Sequence, residues 1–90
     1  SPECCNNKPY SYKSDVWSLG CVLYELVMQT VPFNASDLRG LFMKIVRGMY
    51  PPVKTTYSSG LRSLIDKMLV TSHSKRPSIR QILQLPILSK

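Results

Sequence analysis

The sequence predicts an all-α fold of four helices, and three observations carry that reading. Apolar residues recur at i, i+3, i+4, i+7 and i+8 in two segments, Leu38 to Val46 and Leu61 to Leu69. A near-continuous apolar segment from Asp15 to Met28 is longer than an ordinary strand and poor in β-branched residues. Proline, glycine and serine punctuate the chain between these segments.

Residues 1–13 hold Pro2, Asn6, Asn7, Pro9 and Ser11, and read as a loop with room for one short helical turn. The first long helix is expected over 15–28 with Ser14 as its cap. Val16, Trp17, Leu19, Val22, Leu23, Tyr24, Leu26 and Val27 lie on all its sides, the pattern of a fully buried helix. Pro32, after Val31, marks a break between the first helix and the second. The second helix is expected over 37–47, capped by Ser36, with Lys44 and Arg47 at its negative end and Gly48 closing it. Pro51-Pro52 forces an extended connector. A third helix, capped by Ser58 or Ser59, covers 59–70. A fourth covers 78–85, where Ser78 and Gln81 have capping-box spacing and Pro86 stops it.

Composition bounds the function. A chain of 90 residues is at most one small domain, and at this length it buries only about 60–65% of the surface its unfolded form exposes. The longest uninterrupted apolar run, Cys21 to Tyr24, ends at Glu25, so no membrane span is expected. Cys4, Cys5 and Cys21 have neither metal-ligand nor disulfide-scaffold spacing and fit a reducing compartment as structural thiols. The 12 Lys and Arg against 5 Asp and Glu give a charge of +7, but the cations are scattered, without a stripe interleaved with aromatics, so no specific nucleic-acid partner is expected.

The inventory for catalysis is short. His73 lies in the polar stretch Thr71 to Lys75 with nothing beside it in sequence to orient it, and reads as an exposed loop histidine. Gly20, Gly40, Gly48 and Gly60 are isolated and form no phosphate loop. Two charges pose questions. Asp15, opening an apolar helix, either faces the interior and requires strong donors or simply favours the helix N-terminus. Arg76, between Lys75 and Pro77, either pairs a carboxylate from far away in sequence or is solvated.

Ser1-Pro2-Glu3, Asp15 to Leu26 (Asp-Val-Trp-Ser-Leu-Gly-Cys-Val-Leu-Tyr-Glu-Leu), Val31-Pro32-Phe33 and Arg76-Pro77-Ser78 succeed one another in an order and spacing similar to the second half of a eukaryotic protein kinase catalytic domain. Asn7 to Tyr10 and Lys13 to Trp17 resemble in particular the NIMA-related serine/threonine kinases. The resemblance covers essentially the whole chain. It implies that residues 1–90 are the C-terminal part of such a domain, incomplete at the N-terminus, and that the four helices belong to the helical C-lobe of an α+β parent. The parent would transfer the ATP γ-phosphoryl group to protein Ser or Thr, this segment giving the large-lobe core and the substrate-docking side. The alternative is a truncated kinase or pseudokinase that acts as a non-catalytic interaction module.

The same resemblance implies residue roles. Ser1-Pro2-Glu3 corresponds to the kinase Ala-Pro-Glu motif, with Ser in its first place; Glu3 would pair with Arg76, and Trp17 would pack beside them. Asp15 would bond backbone amides of the catalytic loop, Val22 and Leu26 would lie buried beneath the adenine side, and Glu25 is a position that can meet a basic substrate side chain. The Gly-rich loop, the strand lysine with its helix Glu, the His-Arg-Asp loop and the Asp-Phe-Gly aspartate would all precede Ser1. This chain alone is therefore expected to hold no catalytic, metal or ATP-binding residue, with ATP and Mg2+ bound by the complete parent only. Protein substrates, no membrane, and a cytoplasmic location with the nucleus as a second compartment complete the expectation. Two departures stand out: Ser72-His73 where an Asp-Pro pair is common, and Gly60 where a Glu often supports the third helix.

Overall fold

A computed structural model describes residues 1–6, 8, 9, 11–54 and 56–85. Five helices run in the order α1 (Pro2–Cys5), α2 (Tyr12–Met28), α3 (Leu38–Arg47), α4 (Ser59–Met68) and α5 (Ile79–Leu83), with no strand among the described residues. The short turn allowed near the N-terminus is α1, with Pro2 in its first turn, where the missing N–H costs nothing. Pro86, expected to stop the last helix, and Asn7 and Tyr10 of the Asn-Lys-Pro-Tyr resemblance lie outside the described residues.

Caps decide where the helices begin. α2 starts earlier than expected, because Ser11 and not Ser14 is its N-cap. The Ser11 hydroxyl accepts from the Lys13 amide at 3.2 Å, while the Ser14 hydroxyl accepts from the Ser11 amide at 3.2 Å. Asp37, not Ser36, caps α3 through a 2.7 Å bond from the Gly40 amide. Ser58 caps α4, and Ser78 with Gln81 forms the capping box of α5. Gly48 closes α3 at φ 65°, a left-handed conformation that favours glycine.

Packing is organised around α2 and α4. Gly20 lets the two helices approach closely: a Cβ there would stand 2.8 Å from Met68 Cβ and 3.1 Å from Leu69 Cδ2. On one side of this contact Trp17, Tyr24, Phe33, Val53, Ile65 and Leu69 form the main core, in which the Phe33 ring stacks on Trp17 at 5.4 Å. On the other side Val16, Leu64, Met68 and Ile82 form a second cluster. Phenols satisfy connector and helix-end carbonyls: buried Tyr24 donates to Pro51 O at 2.6 Å and half-buried Tyr57 donates to Val27 O at 2.8 Å. Tyr50 donates to Asp66 Oδ1 at 2.5 Å, and burial together with that carboxylate pushes its ionisation upward.

One expectation about burial is corrected. Val22 and Leu26, expected deep inside, are 53% and 75% exposed. The buried stripe of α2 runs through Val16, Trp17, Gly20 and Tyr24, and two residues onward from Gly20 or Tyr24 is a rotation of about 200°, onto the opposite side. The Cα atoms fill a slab of 41 × 29 × 16 Å. Two helix layers at an interaxial distance of about 8–10 Å fill a thickness of that order, and a third does not fit. A helix that is apolar all round is therefore covered on one side only among the described residues. α3 has the same apolar spacing as α4 but a different burial. No residue of α3 is fully buried, and Leu38 is 81% exposed. Only Leu41 and Ile45 reach the main core.

Candidate functional site

The most highly constrained polar group lies where α1 meets the turn before α5. α1 sets Glu3 beneath the N-terminal turn of α2, and the turn preceding α5 delivers Arg76 to the same place. Arg76 is 1% exposed, which removes the solvated reading, and Glu3 is equally sequestered. Their contact is a bidentate fork: Nη1 donates to Oε2 at 2.8 Å and Nη2 donates to Oε1 at 2.9 Å, across 73 positions of sequence. Two more arginine donors are used, Nη1 on Lys13 O at 2.6 Å and Nε on Val70 O at 2.9 Å. Trp17 covers the guanidinium with its ring centroid 5.1 Å from Cζ, and the same ring stacks with Phe33.

Ser14 is a further partner, at a position where the sequence pattern suggests a helix cap alone. Its hydroxyl donates to Glu3 Oε2 at 2.7 Å while accepting from the Ser11 amide, so the carboxylate is tied directly to the start of α2. The Arg76 fork holds the Glu3 carboxyl far below its usual 4.5, at about 2; desolvation opposes this and Ser14 adds to it. No regular spacing links positions 3 and 14, so nothing in the sequence pattern signals the bond. The paired serines at 11 and 14, three apart as a capping box requires, are the one hint that both hydroxyls have structural work.

His73 does have a neighbour. Although exposed, it is hydrogen-bonded through Nε2 to Ser11 Oγ at 2.6 Å, and Lys13 Nζ donates to Ser74 O at 3.3 Å. These bonds pin the 71–76 loop, which presents Arg76, against the N-terminus of α2. The Ser72-His73 pair that replaces a commoner Asp-Pro is thus held by side-chain bonds in place of proline stiffness. A shallow cavity lies beside this contact, bordered by Lys8, Ser11, Thr71 and His73.

Asp15 does not face the interior: it is exposed in the first turn of α2, where a carboxylate suits the positive helix end. Glu25 is exposed on the outward side of α2, in a shallow depression with Val22, Leu26 and Gln29. Glu3, Arg76 and Trp17 are thus brought together, whereas Asp15 and Glu25 stand apart from them. Cys4 is exposed, against the expectation of a structural thiol; Cys5 and Cys21 are half-buried, and burial pushes the Cys21 thiol upward. Val22, Leu26, Leu19, Leu61, Ile79 and Leu83 line an apolar groove of about 380 Å³ across α2, α4 and α5. Among the described residues no three His, Cys, Asp or Glu side chains converge on a metal position.

Among known proteins, the protein kinase domain family matches residues 1–88. A probable serine/threonine-protein kinase nek3 of Dictyostelium discoideum is 50% identical over the whole chain, which covers 8% of that protein. The serine/threonine-protein kinase Nek1 of Mus musculus is 46% identical over the whole chain, again 8% of its length. A putative serine/threonine-protein kinase A of Trypanosoma brucei brucei is 44% identical, the chain spanning 21% of it. The chain therefore spans a small part of the curated relatives it matches.

Proposed function

The chain belongs to the protein kinase domain family, with NIMA-related serine/threonine kinases among its relatives, and from that premise we propose that its parent protein transfers the γ-phosphoryl group of ATP to Ser or Thr of other proteins. In this reading residues 1–90 supply the helical core of the large lobe and its substrate-docking side. The observation that carries it is the buried Glu3–Arg76 fork, which clamps the Ser-Pro-Glu segment onto α2 and the loop before α5. A kinase needs the end of its peptide-facing segment held rigidly, because phosphoryl transfer rests on positioning. A pair that is dry, bidentate and backed by Trp17 and Ser14 supplies that rigidity.

In the same reading ATP and Mg2+ are held by other parts of the parent, since the sequence here carries no Gly-rich phosphate loop, and no chemical step is routed through this segment. In this reading the exposed Glu25 is the side chain that would pair a basic residue of a bound peptide. The cytoplasm, with the nucleus as a second compartment, is the proposed location, in keeping with cysteines that form no disulfide.

The test is a phosphoryl-transfer assay on the parent protein with labelled ATP, Mg2+ and a basic peptide carrying one Ser. Label on that Ser, none on its Ala analogue, and a fall in kcat/KM of about fivefold or more for Glu25→Ala with the KM for ATP unchanged would support the reading. Absence of transfer to any Ser or Thr protein would replace it with the non-catalytic interaction module.

A further inference from the structure

α1 carries the Glu3 half of the fork in a helix of four residues, and the two that follow Glu3 are adjacent thiols, Cys4 and Cys5. Both are free, Cys4 exposed and Cys5 half-buried. Neighbouring residues of a helix point about 100° apart, so α1 holds the two sulfurs on diverging sides. A disulfide brings its Cβ atoms to about 3.8 Å, closer than consecutive helical positions allow. Joining Cys4 to Cys5 therefore requires their shared peptide to leave the helix. The backbone around Glu3 is tied across that same peptide: the Cys5 amide donates to Ser1 O at 3.1 Å, the Asn6 amide to Pro2 O at 3.1 Å and the Lys8 amide to Glu3 O at 2.8 Å. Each bond joins a residue before Cys4 to one after it, so a ring closed between the thiols competes with all three.

We propose that Cys4 and Cys5 are a peroxide-sensitive modification site that closes as a vicinal disulfide and, in closing, loosens Glu3 from Arg76. The thiolate of Cys4, the more accessible of the two, attacks one oxygen of hydrogen peroxide; the O–O bond breaks, and Cys4 sulfenic acid and one water form. The Cys5 thiolate then attacks the Cys4 sulfur. The S–S bond forms, the S–O bond breaks, and hydroxide leaves as a second water with the proton that Cys5 gave up. Two thiols thus lose two electrons, and peroxide gains them. A strained and exposed disulfide is readily reduced, so a small thiol reverses the reaction. Cys21 is a poorer resolving partner, since it is half-buried on α2 and burial pushes its thiol upward. The coupling is reciprocal. The fork favours the helical, reduced form of α1, and whatever weakens the fork eases oxidation by the factor with which oxidation weakens the fork. None of this depends on phosphoryl transfer, and it holds for a catalytic or a non-catalytic parent.

The test treats the parent protein with hydrogen peroxide, blocks the remaining thiols, and weighs the unreduced peptide that holds Cys4 and Cys5. A loss of two hydrogens within that peptide is expected, restored by dithiothreitol and absent from Cys4→Ser and Cys5→Ser. Oxidation should lower the urea midpoint of the unaltered protein and leave that of Cys4→Ser in place. In a glutathione buffer Ser14→Ala, which removes one bond from Glu3 Oε2 and leaves Arg76 intact, should raise the equilibrium constant for the disulfide about threefold. Glu3→Gln should raise it at least tenfold, which lowers the reduction potential by about 30 mV. Leu64→Ala, a loss of stability away from α1, should change it by less than about twofold. The proposal is overturned if peroxide leaves both thiols free, if Cys4 proceeds to sulfinic acid without closing the ring, or if the product is a bond to Cys21 or between two chains. It is equally overturned if oxidation leaves the urea midpoint unchanged, if Ser14→Ala leaves the constant unchanged, or if Leu64→Ala raises it as much as Ser14→Ala.

Discussion

Arg76 is almost wholly enclosed, and its guanidinium makes four hydrogen bonds, two to one carboxylate and two to backbone carbonyls from different segments. A lysine at this position offers a compact ammonium that cannot reach both Glu3 oxygens and both carbonyls. Arg76→Lys should therefore destabilise by about 2–4 kcal/mol, as read by urea unfolding, despite the retained charge. Glu3 adds a pH dependence with a defined sign. Its folded value of about 2 lies below the usual 4.5, so its stabilising contribution is fully present above 4.5 and is lost as pH falls through 2. The depression corresponds to about 3 kcal/mol, to be seen as a fall in unfolding free energy between pH 4.5 and pH 2 that Glu3→Gln abolishes. Neither partner is legible from spacing. Arg76 beside Lys75 and Pro77 suits a solvated loop equally well, and only the resemblance of the Ser-Pro-Glu and Arg-Pro-Ser segments to kinases joins them. Ser14 escapes even that, because a hydroxyl at a helix start has a local explanation that hides a distant one.

At the level of elements, periodicity locates helices more reliably than it locates burial. Leu38 to Val46 and Leu61 to Leu69 carry the same spacing, yet α4 buries Leu64, Ile65 and Met68 while α3 buries nothing fully. The difference is the neighbour. α4 lies against Gly20 of α2, at a distance no sequence period reveals, whereas α3 meets the core only through Leu41 and Ile45. Gly20→Ala should accordingly cost about 1–3 kcal/mol through overpacking against Met68, with a methyl group worse placed there than at any exposed helix position. Capping is the most legible feature, since it depends on residues three apart. Ser78 and Gln81 form the box their spacing implies, and Ser78→Ala should lower stability by about 1 kcal/mol in thermal unfolding. Where spacing points to a cap at Ser14 or Ser36, a competing hydroxyl or carboxylate close by takes the role.

Across the whole molecule, a two-layer slab explains why α2 keeps an uncovered apolar side, and a sequence has no means to show thickness. In the 90-residue chain Leu26→Ser should change unfolding free energy by no more than about 0.5 kcal/mol, as for an ordinary surface position. Leu64→Ala, inside the second cluster, should cost about 2–4 kcal/mol. The fork closes the chain on itself, so the most direct measurement is a double-mutant cycle with Glu3→Gln and Arg76→Met in the parent protein, read by equilibrium unfolding at pH 7. The fork predicts single losses of about 3–5 kcal/mol each and a coupling of at least about 2 kcal/mol, since removing the second partner relieves a charge already left buried and unpaired. Losses that add within about 0.5 kcal/mol would contradict it, because two residues that act independently cannot be the clamp that holds α1 to the turn before α5.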